Sequence, residues 1–431
     1  MFTRRMENIG LFFVAFLLRL LLSTKKTAEV LNLRVEFETP LTSWSRLKEC
    51  IALAEAGISP YSGETCHHPP LLISLFMFLE DNLSFCVPYL FILCDIVGGY
   101  LLMKGAKHFV EKQIRYQTLI KHRPDVETLL WVKEDLHHIP YFVGLLYLFN
   151  PFSLVTYGAS STVLINNFLT CIVLFFLVKG YEKCATVVLA LACYLSFYPI
   201  MLLIPIALSH TEDGSKISWR KVTSIVSVFL MMSCVLLLCS FKVFESWDFI
   251  NAVYFFILKV PDLTPNMGLF WYFFLEMFEH FRLFFLWVLQ LHTFVYLIPF
   301  VVLFRNQPIF LCYCLIATCS WCKSYSSVGD VIIPLAILPL WRNITPYFRS
   351  LFVAIVMLLF SAILAPVLYH LWVYAGSGNA NFFYAATLAF NLAQILLLSD
   401  VVYAYLRRKF HLKHGLNPLT EDKEEGVIVM K

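Results

Sequence analysis

The segment WDFINAVYFFILKVPDLTPNMGLFWYFFLEMFEHFRLFF, residues 247–285, decides the fold because it combines membrane-like aromatic density with ionisable side chains. A continuous helix through its end would place Glu279 and His280 three and four residues after Glu276, so all three are predicted to share one face. Facing lipid, each charge would cost roughly 2.5–3.5 kcal/mol on insertion scales. The segment therefore predicts membrane helices whose charged face is turned toward protein, a water-filled cavity or a polar ligand.

The rest of the chain has the same membrane-like composition. Of its 431 residues, 59% are hydrophobic and 14% are charged, and the mean hydropathy is +0.73, whereas soluble domains average about 25% charged residues. We therefore predict an all-α, polytopic membrane protein with a single integral membrane domain over residues 1–431. The net charge of +4 is small for this length. It bears on orientation in the membrane and gives no support for nucleic-acid binding.

The first polar segment, residues 23–70, is predicted to be a lumenal loop. Its two cysteines, Cys50 and Cys66, could form a disulfide, which an oxidising compartment permits but does not require. The sequence leaves this pairing open. Apolar residues also recur in this loop at helical spacing, as is typical of an amphipathic helix on a membrane surface: Trp44, Leu47, Ile51, Leu53 and Ala54.

Basic residues set the predicted orientation. The segment 104–138 is rich in Lys and Arg, so the positive-inside rule predicts a cytosolic loop. The same rule places the tail 406–431 and both termini in the cytosol, with about twelve transmembrane helices in the chain. This count requires the apolar run 185–208 to divide into two short helices.

The same orientation predicts which loops face the lumen. Two N-glycosylation sequons test it, because Asn82-Leu-Ser would lie at membrane depth and Asn343-Ile-Thr in the cytosol. Neither is predicted to be modified. The loops predicted to be lumenal carry little charge: Ser59–His68, Ser160–Asn167, Phe244–Met267 and Tyr374–Asn381.

Short motifs occur in these loops and beyond them. They are SPYSG at 59–63 followed by His67, INN at 165–167, WDFI, VPDLTPN and GLFWYFFLEMFEHF within 247–281, KSY and VGD within 323–330, HLW, YAGS and NFFYA within 370–385, and QILL and SD within 394–400. In these motifs the chain resembles the PIG-U family, a subunit of the GPI transamidase of the endoplasmic reticulum. The resemblance covers nearly the full length.

The resemblance implies a non-catalytic, multi-spanning subunit of the endoplasmic reticulum membrane. The implied partners resemble PIG-K, PIG-T, PIG-S and GPAA-type proteins, and the cysteine nucleophile belongs to the PIG-K-like partner. The implied role is to bind and present the GPI glycolipid, or the hydrophobic C-terminal attachment signal of a substrate protein. GPI is thus the expected ligand, and we expect no cofactor, metal or catalytic residue in this chain.

A weaker similarity to GPI mannosyltransferases implies a GT-C-like architecture. Those enzymes carry an acidic pair in the first lumenal loop, whereas the corresponding stretch here, LRVEFETPL at 33–41, has Glu36 and Glu38 but no DxD. A degenerate glycosyltransferase scaffold is therefore predicted. An active mannosyltransferase and a purely structural scaffold are the alternatives, while a fatty-acid elongase is disfavoured because its HxxHH cluster is absent.

The charged end of residues 247–285 provides the first group of candidate GPI contacts. Arg282 suits a phosphate because its planar guanidinium matches phosphate oxygens, and neighbouring aromatic rings would line acyl chains. The alternative is an ion-pair network that locks two helices or a partner subunit, since intramembrane charges are commonly satisfied by one another. The candidates are Glu276, Glu279, His280, Arg282, Phe284 and Phe285.

Polar residues at the predicted lumenal edge provide the second group. Amide side chains suit glycan hydroxyls, which need both donors and acceptors. The alternatives are structural, since Asp and Asn beside proline often form turns and Asn379 could cap the last helix. Residues 66–68, Cys-His-His, cannot all converge on one ion, so no metal site is predicted. The candidates are Asp262, Asn266, Asn379, Asn381, Asn166 and Asn167.

Overall fold

The computed structural model of the chain describes residues 2–32, 34–120, 123–211 and 217–416. Most of these residues are helical and none of them lies in a β-strand, which confirms the predicted all-α class. The first helices are α1 Phe2–Leu22, α2 Lys25–Leu31, α3 Trp44–Glu55, α4 Pro70–Leu83, α5 Val87–Leu119, α6 Asp135–Leu148, α7 Pro151–Gly158, α8 Val163–Lys179, α9 Glu182–Leu195 and α10 Leu203–Ala207. They are followed by α11 Trp219–Phe244, α12 Phe256–Lys259, α13 Phe270–Glu276, α14 Glu279–Val295, α15 Leu297–Phe304, α16 Pro308–Cys322, α17 Ile332–Ile337, α18 Leu351–Val373 and α19 Ala380–His414.

Short helical turns join several of these helices. A π-helix, Ile250–Phe255, leads into α12. The remaining turns are of the 3₁₀ type: Pro60–Ser62, Ser84–Cys86, Pro124–Leu129, Tyr198–Leu202, Ser209–Thr211, Val328–Val331 and Leu338–Tyr347.

Seven helical segments in the described part of the chain are long and apolar enough to cross a membrane. Four other apolar helices are shorter, with 10–17 residues, and a span needs about 20. The polytopic prediction is confirmed. The number of about twelve spans, which includes short helices, stays a prediction. The GT-C-like arrangement stays a prediction. The seven segments are Pro70–Leu119, Asp135–Gly158, Trp219–Phe244, Glu279–Phe304, Val328–Tyr347, Leu351–Tyr374 and Ala380–His414.

Helix ends agree with the sequence pattern at some places and differ at others. The run 185–208 divides as expected, because α9 ends at Leu195 and a proline-containing turn leads into α10. The segment 104–138 is a loop only in its second half, since α5 continues to Leu119. Charged and amide residues such as Lys, Glu, Arg and Gln are good helix formers, so charge alone does not end a helix. Residues 417–431 of the predicted tail 406–431 lie outside the described residues.

Arg19, which interrupts the apolar run of α1, is buried inside the protein. Its Nε lies 2.6 Å from Oδ2 of Asp95 on α5, and both side chains are fully buried. Its Nη2 also donates to the carbonyl oxygen of Leu148 at 3.0 Å. The guanidinium therefore fastens α1 to α5 and to the end of α6.

Loops from distant parts of the chain meet at the start of α5 and α8, and we name this region the interlocked end. Thr162 donates its backbone N–H to the Thr42 carbonyl at 3.0 Å. Val328 donates likewise to Glu36 at 3.1 Å, and Met267 donates to Ser326 at 3.1 Å. The loop Ser59–His68 joins them, because Nδ1 of His67 lies 2.7 Å from the carbonyl oxygen of Ala252. Three of the four loops predicted to be lumenal, together with residues 36–42 and 323–330, thus form one hydrogen-bonded layer.

The far end of α5 gathers basic segments, and we name it the basic end. Arg342 pairs with Asp135 at 2.5 Å, and Nη2 of Arg408 donates to the Leu129 carbonyl at 2.8 Å. The chain therefore separates the weakly charged loops from the basic segments along the helix axis. This separation is what the positive-inside pattern requires. The side of the membrane on which each end lies stays a prediction.

The two cysteines of the first loop, whose pairing the sequence leaves open, form a disulfide. Cys50 of α3 is bonded to Cys66, with their Cα atoms 5.5 Å apart. α3 forms where the apolar residues recur, as predicted. Its apolar face packs on α4 and α5 rather than on a membrane surface. The ring of Trp44 lies 5.1 Å from that of Phe76 and 5.6 Å from that of Phe91.

Candidate functional site

The charged end of residues 247–285 is not one continuous helix. α13 ends at Glu276, and α14 begins only at Glu279, because Met277 and Phe278 have extended backbone between them. The prediction that Glu276 shares a helical face with Glu279 and His280 is therefore wrong. The break places Glu279 in the first turn of α14, where the helix dipole favours a carboxylate.

The break turns ionisable and aromatic side chains outward, and we name this set the junction surface: Glu276, Phe278, Glu279, His280, Phe281, Arg282 and Phe284. The carboxylates and His280 are exposed, and Phe278 and Phe284 are 72% and 63% exposed. No ion pair joins these charged residues to one another within the described part of the chain. The internal network that the sequence suggested as an alternative is therefore absent from those residues.

Arg282 is the half-buried member of the junction surface. Its Nη2 donates to the carbonyl oxygen of Val260 at 2.9 Å, and its guanidinium lies 5.6 Å from the ring centre of Phe274. Val260 ends α12 with a φ of +48°, which is rare and strained for a β-branched residue. Arg282 thus holds a strained helix end. Such strain persists only where the surroundings enforce it, often at functional sites.

Phe285 faces inward from α14 and belongs to an aromatic cluster. Its ring lies 5.5 Å from that of Phe273 and 5.1 Å from that of Phe284. Phe273 in turn meets Phe274 at 5.4 Å. The cluster connects the exposed aromatic rings of the junction surface to the packed interior under Arg282.

Asp262 and Asn266 organise the loop that follows α12. Asp262 pairs with Arg46 of α3 at 2.9 Å and accepts from the backbone N–H of Thr264 at 2.8 Å. Burial opposes ionisation of Asp262, but its bonds from Thr264 and the charge of Arg46 outweigh burial and lower its pKa. Asn266 is buried and accepts from the N–H of Gly268 at 2.7 Å. Both residues therefore fit the structural alternative.

Asn379 and Asn381 lie on an exposed turn at the start of α19. Asn379 caps α19, and its side-chain oxygen accepts from the backbone N–H of Asn381 at 3.2 Å. This is the capping role that the sequence offered as an alternative. No hydrogen bond or ion pair of the described residues joins them to the junction surface.

Asn166 and Asn167 lie at the interlocked end, at the start of α8. Asn167 donates to the carbonyl oxygen of Gly329 at 2.9 Å, whereas the buried side-chain oxygen of Asn166 has no hydrogen-bond partner. Asn166 faces a narrow cavity of about 60 Å³ between the loops, which an ion pair of Lys323 and Asp330 also lines, with 2.5 Å between its atoms. We name it the interloop cavity.

An adjoining chamber of about 40 Å³ extends the interloop cavity toward His68. A single water needs roughly 10–15 Å³ of such space, so the cavity suits a few water molecules that could satisfy Asn166. The sequence missed Lys323 and Asp330 as site residues. Their signal is the KSY and VGD motifs, which contribute to the resemblance but carry no predicted role.

Residues 13–390 match the family model described as GPI transamidase subunit PIG-U. The chain belongs to the PIG-U family. It is 40% identical to the human GPI-anchor transamidase component PIGU over 429 residues, which cover 97% of this chain and 98% of the human protein. It is 33% identical to the GPI transamidase component GAB1 of Saccharomyces cerevisiae, over 88% of this chain and 89% of the yeast protein.

Glu36 and Glu38, the acidic pair of the first loop, are both buried in the protein. Glu36 is 1% exposed, and neither of its carboxylate oxygens has a hydrogen-bond partner, so burial raises its pKa. Glu38 accepts from the Ser43 hydroxyl at 2.6 Å and from the backbone N–H of Trp44 at 3.2 Å, at the start of α3. Burial outweighs these bonds and raises the pKa of Glu38 to about 7. Neither carboxylate lines the interloop cavity.

Proposed function

We propose that the chain is a non-catalytic membrane subunit of a GPI transamidase in the endoplasmic reticulum, which binds GPI and presents it to a catalytic partner. Its relatives' names, GPI-anchor transamidase component and GPI transamidase component, support the place in such a complex. The partners would resemble PIG-K, PIG-T, PIG-S and GPAA-type proteins. The PIG-K-like partner would supply the cysteine nucleophile.

The observation that carries this proposal is the junction surface. Only 11% of the residues in the most apolar stretch of the span Glu279–Phe304 are buried within the chain, so its start must be covered by lipid, a ligand or another subunit. If only lipid tails covered Glu279 and His280, each charge would raise the free energy of membrane insertion by roughly 2.5–3.5 kcal/mol. A glycolipid offers phosphates and hydroxyls to the charged groups and acyl chains to the exposed rings of Phe281 and Phe284.

Arg282 would contact the phosphate of such a ligand. A guanidinium has five N–H donors, and the structure assigns one nitrogen of Arg282 to the Val260 carbonyl. The others can serve a phosphate without breaking that bond. Because Arg282 is anchored on a strained helix end, its position is fixed before the ligand arrives, which reduces the entropic cost of binding.

Other features support binding without catalysis in this chain. The interloop cavity and its adjoining chamber, of about 60 and 40 Å³, suit a few water molecules. A general base must come within hydrogen-bond reach of a substrate proton, and Glu36 is enclosed by protein. Holding GPI beside the partner's nucleophile would accelerate the reaction by raising the effective concentration of its terminal amine.

The proposal is tested by separating lipid binding from assembly. Arg282→Gln keeps a donor for the Val260 carbonyl but removes the charge, and Glu279→Lys reverses a charge on the junction surface. We expect each variant to assemble with its partners while the GPI that co-purifies with the complex, measured by mass spectrometry, falls about tenfold, which corresponds to about 1.4 kcal/mol. Glu49→Lys is the matched control, because Glu49 is an exposed acid on α3, and it should retain GPI.

Two results would contradict the proposal. Loss of assembly with GPI retained would identify the junction surface as a contact between subunits, and so would favour a pure scaffold. Mannose transfer from dolichol-phosphate-mannose by the purified chain, abolished by Glu36→Gln, would favour an active mannosyltransferase.

A further inference from the structure

Two adjoining cavities lie at the basic end between α5, α16 and α19. One of about 200 Å³ lies between the end of α5 and the start of α16, and one of about 130 Å³ extends to the end of α19. Phe109, Gln113, Tyr116 and Gln307 line both, so the cavities form one space, which we name the basic hollow. Its volume is far above the roughly 10–15 Å³ that a single water needs.

Four cationic side chains line the basic hollow: Lys112, Arg115, Arg408 and Lys409. No Asp or Glu occurs among the described residues that line it. Arg408 donates its Nε and Nη2 to the Leu129 carbonyl at 3.1 and 2.8 Å, but a carbonyl has no net charge and leaves the guanidinium charge in place. Cationic groups around a concave apolar wall concentrate positive potential inside it.

The start of α16 adds to this potential. α16 begins at Pro308, which lines the hollow, and its N-cap residue Gln307 makes no side-chain capping bond. The start of a helix carries roughly half a positive charge and presents open N–H groups that bind anions. The side-chain amides of Gln113 and Gln307 supply neutral donors at the same place.

The depth and walls of the hollow indicate what kind of anion fits. It lies at the ends of α5 and α19, which both belong to segments able to cross a membrane, and therefore at the depth of lipid headgroups. Beside the cations its walls are apolar and aromatic, with Phe109, Trp131 and Trp341 among them. A free anion would use only the cations, whereas a lipid would use both the cations and these walls.

We propose that the basic hollow binds the phosphate-bearing headgroup of an anionic membrane lipid. The phosphate oxygens accept hydrogen bonds from Lys112, Arg115 and Lys409 and from the start of α16. Basic pockets between transmembrane helices are a known form of lipid-headgroup site. The bound lipid joins α5, α16 and α19 at this end, independently of the junction surface and of GPI.

The test uses the full chain in phosphatidylcholine nanodiscs, with dioleoyl phosphatidic acid as the probe and native mass spectrometry as the measurement. The triple variant Lys112→Gln, Arg115→Gln, Lys409→Gln should bind the probe at least about tenfold more weakly. The matched control removes the same charge from exposed lysines outside the hollow, by Lys104→Gln, Lys107→Gln and Lys133→Gln. It should retain binding within about twofold.

A second variant keeps the proposal falsifiable if the triple variant folds poorly. Gln307→Glu places a carboxylate at the start of α16, which favours the helix but repels a phosphate. We expect lost binding with an unchanged or raised melting temperature. Equal losses in the triple variant and its control would indicate diffuse surface charge. Unaltered binding in Gln307→Glu would show that the probe does not bind in the basic hollow. Competition by inorganic phosphate at the probe's own concentration would show that the hollow does not prefer a lipid to a free anion.

Discussion

Glu38 is a carboxyl group whose ionisation the fold opposes. Burial raises its pKa from an ordinary value of 4.5 to about 7, so folding favours its protonated form. The stability that this preference contributes is fully present below pH 4.5 and is lost as the pH rises through about 7. The chain should therefore lose stability at this residue as the pH rises from 4.5 to about 7.

Glu38→Gln tests this expectation, because the amide cannot ionise. The melting temperature of the variant, minus that of the wild type, should rise by a few degrees between pH 5 and pH 8 in detergent. Glu36 has a raised pKa of the same sign, so the variant should remove only part of the wild-type dependence. For the control Glu49→Gln, on the exposed side of α3, the difference in melting temperature from the wild type should not change with pH. If the difference for Glu38→Gln is also constant, then burial of Glu38 is not the cause of the pH dependence.

Single residues were predictable from sequence where the reason was local. Asn379 caps a helix and Asn266 organises a turn, which are roles that follow from the side chain and its neighbours in sequence. Lys323 was not identified, because its importance depends on Asp330 and Asn166 closing the same cavity. Long-range convergence of this kind has no periodicity to detect.

At the scale of elements, the buried pair Arg19–Asp95 decides how α1 joins α5. Both side chains are fully buried, and removing one partner of such a pair leaves an uncompensated charge that costs about 3–5 kcal/mol. We therefore expect Asp95→Asn to lower the denaturant midpoint and the amount of folded protein strongly. The double variant Arg19→Met, Asp95→Leu should recover most of the loss, because neither charge then remains.

An exposed pair on the same helix provides the control. Lys107 and Glu111 lie 4.0 Å apart on the exposed side of α5, where such a pair contributes about 0–1 kcal/mol. Lys107→Met with Glu111→Gln should leave the midpoint nearly unchanged. If the double variant at the buried pair is as unstable as Asp95→Asn, then shape rather than charge governs this contact.

Elements were predicted well where composition marks them and poorly where tertiary contacts decide. The apolar runs predicted helices, and proline marked the division after α9. The break at Met277 and Phe278 had no such marker, because both residues tolerate a helix. The structure places a helix start at Glu279 instead, and the contact of Arg282 with the end of α12 depends on that placement.

At the scale of the whole molecule, the separation of interlocked and basic ends predicts which sites receive glycans. Gly63→Asn creates the sequon Asn-Glu-Thr in an exposed loop of the interlocked end. If that end is lumenal, the variant expressed in cells should gain one glycan that endoglycosidase H removes. The native Asn343-Ile-Thr at the basic end is the built-in control and should stay unmodified, as should Asn82-Leu-Ser.

The opposite pattern would reverse the orientation. A glycan at Asn343 with none on Gly63→Asn would place the basic end in the lumen. It would also conflict with the Cys50–Cys66 disulfide, since disulfides persist in oxidising compartments and are rare in the cytosol.

The whole-molecule prediction is confirmed in class, whereas the number of spans stays a prediction. Composition determines that an apolar chain of this kind forms helices in a membrane, since only helices and closed barrels satisfy the backbone there. The number of spans depends on where short helices stop inside the bilayer. Chain segments such as Tyr198–Ala207 and Pro308–Cys322 are apolar but short, and their ends are set by packing that hydropathy does not record.

The loops at the interlocked end come from distant parts of the chain, so their contacts can form only in a fixed order during translation. The carbonyl oxygen of Glu36 accepts from the backbone N–H of Val328, which lies about 290 residues later in the chain. At roughly 5–20 residues per second, the ribosome needs about 15–60 s to synthesise the residues between them. During that interval the first loop is translated but unfinished. Cys50 and Cys66 lie only 16 residues apart and can be joined early, so an oxidase could secure the nascent loop long before its distant partners emerge.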